Sequence, residues 1–245
     1  MTAGIGKEFM RKTKPQFLEE SLQDQGQPQP PLEKNYDPAA SLIPLPEVDN
    51  LPSYGLDLRQ AIEQRKTLRK YQQQALTLDE LTFLLWTTQG VKSVTKRPVT
   101  LRTVPSAGAR HAFETYVLVN RVEGIQPGLY RYVALEHALL PVNLSEEINS
   151  QITRACYDQS QVFNSAVTFI WVTVLERMYW RYGERGYRYL HLDAGHVCQN
   201  LYLAAEAIQS GVCAIAAFND DEINQVMGLD GENQFVIYLG SVGKR

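Results

Sequence analysis

"YRYLHLDAGHVCQNLYLAAEAI", residues 187 to 208, sets the scale of the fold. Apolar or small residues recur at Leu190, Ala194, Val197, Leu201, Ala204, Ala205 and Ile208. Steps of three and four put them on one stripe of a helix of about six turns, buried along that stripe. Gly211 follows its end. Just upstream, "AVTFIWVTV" (166–174) is an unbroken apolar run rich in β-branched residues, which reads as a central strand covered on both faces. Downstream come a strand "VCAIAAF" (212–218), a short helix "NDDEINQVMG" (219–228) capped by Asn219 with Glu222, and a last strand "QFVIYLGSV" (234–242).

Farther toward the N-terminus, "LDLRQAIEQRKTLRKY" reads as a helix, with Leu58, Ile62 and Arg65 three to four apart. "TLDELTFLLWTTQG" is a second helix, opened by the capping box of Thr77 and Glu80 and closed at Gly90. "ETYVLVNRV" and "GLYRYV" are strands joined by the Gly/Pro turn "EGIQPG", and His137 to Val142 adds a third. "SEEINSQITRAC" is a helix started by Ser145. Helices, a hairpin, then strand, long helix, strand, helix, strand: this order lacks the alternation of a doubly wound fold. It predicts an α+β sandwich around one mostly antiparallel sheet.

The first 52 residues differ. Seven prolines lie between 23 and 52, so this part reads as an extended Pro-rich arm packed along a surface, or as a partly mobile lead-in or disordered tail; Leu42, Ile43, Leu45 and Val48 argue for docking. The arm is expected to cross onto a partner subunit. The domain proper is expected over 53–245.

Composition excludes several classes. A net charge of −3 gives no electrostatic case for nucleic acid or an anionic membrane. No apolar run of membrane-spanning length occurs, and the N-terminus has no signal-peptide core. Cys156, Cys198 and Cys213 show no metal-ligand or redox spacing, which points to a cytoplasmic protein. There is no Gly-x-Gly-x-x-Gly, no phosphate loop and no Gly-x-Ser-x-Gly. His191 and His196 are five apart on the long helix, about 140° around it, so they do not share a metal.

What remains is a pattern of cations around a bend of small residues. "RTVPSAGARH" (102–111) sets Pro105, Ser106, Ala107 and Gly108 between Arg102 and Arg110. Arg65, Thr67 and Arg69 are closely spaced, and the chain ends in Lys244 and Arg245. Arginine, threonine and lysine are the donors that hold a phosphate, and a bend without bulky side chains lets a flat ring approach the backbone.

Six blocks in order, "RKTLRKY", "VPSAGARH…ETYV", "GLYRY", "YGERGYRY…AGHVCQNLYLAA", "GVCAIAAF" and the terminal "VGKR", resemble the flavin-dependent nitroreductase superfamily. The branch they are most similar to is the SagB-type dehydrogenases, which oxidise azolines to azoles in ribosomal peptide natural products. The resemblance spans about residues 53 to 245. It implies an α+β nitroreductase-like sandwich entwined as a homodimer, with FMN at the subunit interface.

By residue match, Arg65, Thr67 and Arg69 take the grip on the FMN phosphate and ribityl chain, Thr67 standing where serine is usual. Pro105, Ser106, Ala107 and Gly108 contact the ring from the partner subunit, an alanine replacing one glycine. Val212, Cys213 and Ala214 pass backbone amides near the flavin N5 and O4, Lys244 or Arg245 closes on the phosphate, and Gln199 with Asn200 are weaker matches.

One departure bears on substrate. The Lys-Tyr pair that azoline dehydrogenases use for proton abstraction is Arg181-Tyr182 here. An arginine, with a pKa above about 12, is no base, so Arg181 is expected to hold an anion while Tyr182 keeps a catalytic part. The aromatic stretch around it, with Tyr179, Trp180, Tyr187 and Tyr189, is a candidate roof over a substrate channel, or simply packs the core or the dimer interface.

The expected function is an FMN-dependent oxidoreductase that moves electrons or hydride from a donor such as NAD(P)H to a small organic acceptor. The alternatives are azoline dehydrogenation on a peptide, or a non-catalytic flavin-binding module.

Overall fold

The computed structural model describes residues 4–245. Along the chain run α1 (Ile5–Lys12), β1 (Ile43–Pro44), α2 (Leu58–Gln64), α3 (Leu78–Gln89), β2 (Val91–Val94), β3 (Thr100–Arg102), β4 (Phe113–Val119), β5 (Gly128–Val133) and β6 (Ala138–Asn143). Then follow α4 (Ile148–Ala155), α5 (Ser160–Phe163), β7 (Val167–Val174), α6 (Leu175–Tyr182), α7 (Gly186–Ala207), β8 (Ser210–Ile215), α8 (Asp220–Met227) and β9 (Gln234–Lys244).

Seven strands form one sheet in the order β1-β6-β5-β4-β7-β9-β8, each neighbouring pair antiparallel. Strand alternation sorts the core into two layers. On one face, Val117, Val119, Phe169 and Trp171 pack with Leu81, Leu84 and Leu85 of α3 and Val197 and Leu201 of α7. On the other, Tyr116, Leu118, Ile170 and Val172 pack with Ile148 and Ile152 of α4 and Ile223 and Met227 of α8. Every residue of β7 is buried, as its apolar run requires. The architecture is the expected α+β sandwich with helices on both faces.

Local signals held where hydrogen bonds enforce them. Thr77 and Glu80 form the reciprocal capping box of α3, and Asn219 accepts from the Glu222 amide at the start of α8. Ser145 does not cap α4: that helix starts three residues later, and Ser145 contributes only its carbonyl, to the Ile148 amide. The sequence reading lacks α1 and β1 inside the arm, the four-residue α5, the β2–β3 hairpin and α6; α1 makes the start of the arm helical rather than extended. The hairpin of β2 and β3 is short and mostly exposed, so it carries little periodic signal. The helix α6 is hidden in the aromatic run; it buries Leu175, Arg177, Met178 and Trp180 and ends at Gly183, whose φ of +50° is a left-handed stop.

The arm lies against its own chain. Ile43 pairs with Leu139 and Leu45 is buried. The reason is polar. Glu114 and Arg177 form an ion pair of 2.5 Å, both almost fully buried. The arm bonds both of its members, since the Lys34 amide donates to Glu114 (2.7 Å) and the Arg177 Nε donates to the Pro31 carbonyl (2.9 Å). A buried ion pair needs hydrogen bonds beyond the pair itself, and the arm supplies two, leaving Arg177 Nη1 without a partner. The arm also straps α6 and the start of α7. The Gln23 amide donates to the Trp180 carbonyl, the Trp180 Nε1 donates to the Gln27 carbonyl, and Arg185 and Arg188 donate to Thr13.

Candidate functional site

The candidate residues collect in two places, both anchored on α7. The first lies at the sheet edge formed by β8. After α2 ends, the chain turns extended and runs beside β8: Thr67 bridges Val212, and the Leu68 amide donates to the Val212 carbonyl (2.9 Å). The close approach depends on Gly211 and Gly243. A Cβ on Gly211 would sit 2.6 Å from Leu68, and one on Gly243 2.6 Å from Tyr71. The Tyr71 hydroxyl bonds both the carbonyl and the hydroxyl of Ser241, fixing the segment from below.

This places Arg65, Thr67 and Arg69 together with Val212, Cys213 and Ala214. Arg65 stacks over the Tyr202 ring at 5.2 Å, and the Thr67 hydroxyl is 3.3 Å from the Tyr202 hydroxyl. Arg69 reaches the Cys213 side chain, where its charge opposes the upward push of burial on the thiol. Thr67 and Arg69 are exposed and Arg65 half-buried, and neither arginine is paired with a carboxylate among the described residues. A cationic pair with a hydroxyl between its members, free of carboxylates, fits a phosphate.

Tyr202, like Asp193 below, is a residue that sequence reasoning missed. Its hydroxyl accepts from the Ala214 amide at 3.0 Å. Of the amides expected near a flavin, that one is already engaged. Tyr202 lies on the buried face of α7, where an aromatic reads as core; the only signal was a hydroxyl that a buried tyrosine must satisfy.

Lys244 and Arg245 do not join this group through their side chains. The Lys244 ammonium is bound by Glu80 and by the Ile208 carbonyl (2.9 Å). The Arg245 guanidinium is bound by Glu206. Glu80 also serves the capping box of α3, so the lysine is tied to a helix start. Gln199 is exposed, and Asn200 donates to the Thr87 carbonyl (2.9 Å), linking α7 to α3.

The second place is the small-residue bend. Asp193, near the start of α7, holds it. The Ser106 hydroxyl donates to Asp193 at 2.6 Å and the Ala107 amide at 3.2 Å, while the His111 amide donates to Ser106 (2.9 Å). Burial pushes the Asp193 carboxyl above its usual range, against the lowering effect of these bonds. Gly108 has φ +56°, and a Cβ there would lie 2.5 Å from the Tyr182 hydroxyl and 2.9 Å from the Arg181 Nε. The structure therefore brings Arg181 and Tyr182 onto the bend formed by Pro105, Ser106, Ala107 and Gly108, although some 75 residues separate them. Tyr182 packs edge-on against Tyr189 at 4.8 Å. His111, buried beside Arg102 and Arg110, is pushed down to about 3, chiefly by burial, and is neutral at ordinary pH.

The two places sit on one helix, nine residues apart between Asp193 and Tyr202, or about 13 Å along its axis. Between α2, α3 and α7 runs an apolar groove of about 380 Å³ lined by Leu58, Phe83, Trp86, Leu203 and Ala207 among others. Among the described residues no cluster of potential metal ligands occurs, and no helix is long and apolar enough to cross a membrane.

A family model described as the nitroreductase family matches residues 62–244. A protein of Methanocaldococcus jannaschii named as a nitroreductase is 32% identical over 203 residues, covering 83% of this chain and 96% of its own length. The trifolitoxin-processing protein of Rhizobium leguminosarum bv. trifolii is 32% identical over 138 residues, 53% of this chain; this chain spans only 36% of it. A crystal structure from Anabaena variabilis, also named as a nitroreductase, superposes with a TM-score of 0.68 at 28% identity, over 84% of this chain and 42% of that one.

Proposed function

We propose that this chain, which belongs to the nitroreductase family, is an FMN-dependent oxidoreductase that passes electrons from a reduced nicotinamide donor to a small organic acceptor. The observation that carries the reading is the Arg65, Thr67 and Arg69 group. Its cations lie at the edge of β8 with no carboxylate to neutralise them, while the terminal cations nearby are neutralised. Arg65 and Arg69 would hold the phosphate, with Thr67 donating its hydroxyl. Val212, Cys213 and Ala214 would border the ring.

A bound flavin supplies the hydride and electron chemistry. The chain's own residues bind, orient and shield. Asp193 fixes the bend so that Pro105 and Gly108 present backbone rather than bulk. Tyr202 aligns the Ala214 amide and stacks under Arg65. Tyr182 offers a hydroxyl at the bend for a proton to or from substrate, and Arg181 offers a permanent charge rather than a base.

Several features support a homodimer in which the bend of one subunit meets the phosphate group of the other. The two places are about 13 Å apart on α7. Leu58, Ile62 and Leu192 are exposed, and the apolar groove runs along the same helix. A cytoplasmic location fits the absence of any spanning helix among the described residues and the three free cysteines.

A second reading is azoline dehydrogenation on a peptide, favoured by the match to a trifolitoxin-processing protein and weakened by Arg181 in the basic position. Absorption spectra and the mass of the released cofactor test the flavin. A substrate panel of nitroaromatics, quinones and azoline peptides with NADPH or NADH separates the two readings. Turnover of azoline peptides alone would replace the first by the second, and a tightly bound flavin that is never reduced would leave a binding module. Sedimentation tests the dimer.

A further inference from the structure

Beside the bend, two arginines carry charge that nothing in the fold neutralises. Arg110 is only 6% exposed. Its Nε donates to the Gly108 carbonyl (3.1 Å), its guanidinium lies over the Trp180 ring at 5.2 Å, and its Nη2 is buried with no partner. Arg181 runs along the same bend, its Nε and Cδ within about 3 Å of the position a Gly108 Cβ would take. Neither arginine is in an ion pair among the described residues. The neighbouring acids are committed: Asp193 to Ser106 and Ala107, Glu114 to Arg177, Glu184 to the Tyr179 hydroxyl. Burial, then repulsion from Arg181 and from Arg97 of the β2–β3 turn, lowers the affinity of Arg110 for its proton.

A buried guanidinium with an unspent N–H, next to a second cation, is costly unless an anion completes it. The contrast inside the molecule is Arg177, buried to the same degree and also left with one unpartnered nitrogen, Nη1, but with its charge met by Glu114. The rings of Trp180, Tyr182 and Tyr189 flank the two arginines with apolar, flat surface.

We infer that Arg110 and Arg181 form a seat for an anionic group, a carboxylate or phosphate, on a substrate that approaches beside the 105–108 bend. This rests on the oxidoreductase reading and names the substrate class for that same site. Two sources supply such a group: an acidic acceptor, or the 2′-phosphate of a reduced dinucleotide donor.

The test compares ratios in the protein as purified. With 4-nitrobenzoate against its methyl ester as acceptors, an acidic-acceptor seat gives at least about tenfold higher kcat/KM for the acid, the size of one charge-assisted hydrogen bond. With NADPH against NADH, a donor seat gives the same preference for NADPH. In Arg181→Gln, whichever preference exists falls toward one. Arg110→Lys, which keeps the buried charge and the fold but loses the fork, reduces it in part. Ratios near one in the wild-type protein, or ratios unchanged in Arg181→Gln, overturn the seat.

Calorimetric binding of 4-nitrobenzoate and of 2′-phospho-ADP-ribose reads the same seat without turnover. Binding of either that weakens about tenfold in Arg181→Gln supports the seat even if no flavin is present, a result that would sink the oxidoreductase reading alone. Binding of neither overturns it.

Discussion

Arg65 and Arg69 border the sheet edge at β8; Lys244 ends β9, the strand that pairs with it, and Arg245 follows. In the sequence the two pairs look alike: cations close to a hydroxyl residue, Thr67 or Ser241, read as converging on one phosphate. In the fold they differ. Lys244 and Arg245 each meet a carboxylate of their own chain, Glu80 and Glu206. Arg65 and Arg69 meet an aromatic ring and a thiol instead. A cation paired inside the protein has its charge neutralised by structure. An unpaired one at an edge keeps its charge for a ligand. Under the proposed function the first pair binds the ligand and the second stabilises the fold.

The largest effect that tests this division is on flavin. Arg65→Ala with Arg69→Ala removes two charge-assisted contacts, about 1.5–3 kcal/mol each, so FMN affinity should fall roughly 100-fold or more while the melting temperature barely moves. Equilibrium titration with FMN, beside thermal melting, reads both.

The reverse pattern is expected for Lys244→Met. It leaves Glu80 almost buried and unpaired beside the capping box, at a cost of about 3 kcal/mol in stability, with FMN affinity changed less than about threefold in the folded protein. Denaturant unfolding gives the stability. An equal loss of flavin in both variants would erase the distinction.

At the bend, a pH experiment gives the next effect. The His111 pKa is depressed in the folded state to about 3, below its unfolded value near 6.5. The unfolded chain therefore takes up the proton first as pH falls. The contribution of His111 is present above about pH 6.5 and is lost toward pH 3, on the order of 3 kcal/mol between pH 7 and pH 4. Asp193 and Glu33, whose carboxyls burial raises, act in the opposite sense, so the quantity to measure is the wild-type slope minus that of His111→Gln. That difference should be positive, with stability falling faster in the wild-type protein as pH is lowered.

Gly108→Ala tests the bend directly. A left-handed φ and a contact with the Tyr182 hydroxyl predict about 1–2 kcal/mol lost and a shifted Tyr182. Smaller still, Thr67→Val should weaken FMN about fivefold and Thr67→Ser hardly at all, since only the hydroxyl matters there.

The sheet and its two helical layers could be read from the sequence because they rest on local signals: the stripe of α7, the run of β7, the capping box of α3 and the Asn219 cap of α8. The bend and the Arg65–Arg69 segment could be read as motifs. What escaped was pairing across long sequence distances. Nothing in "VGKR" says that Glu80, 164 residues away, waits for Lys244. Nothing in the proline-rich arm says that its backbone bonds both members of the Glu114–Arg177 pair. Asp193 and Tyr202 lie on the buried side of a helix whose pattern reads as packing, and their polar tips find partners only once the bend and β8 are folded against them.

The central claim is that the Arg65, Thr67 and Arg69 group recognises a flavin phosphate. Titration of the stripped protein with FMN and with riboflavin, which lacks only the phosphate, measures that directly. The account predicts FMN bound at least about 100-fold more tightly than riboflavin, with the preference nearly gone in Arg65→Ala/Arg69→Ala and kept in Lys244→Met. Equal affinity for the two flavins, or a preference that survives loss of both arginines, would contradict it.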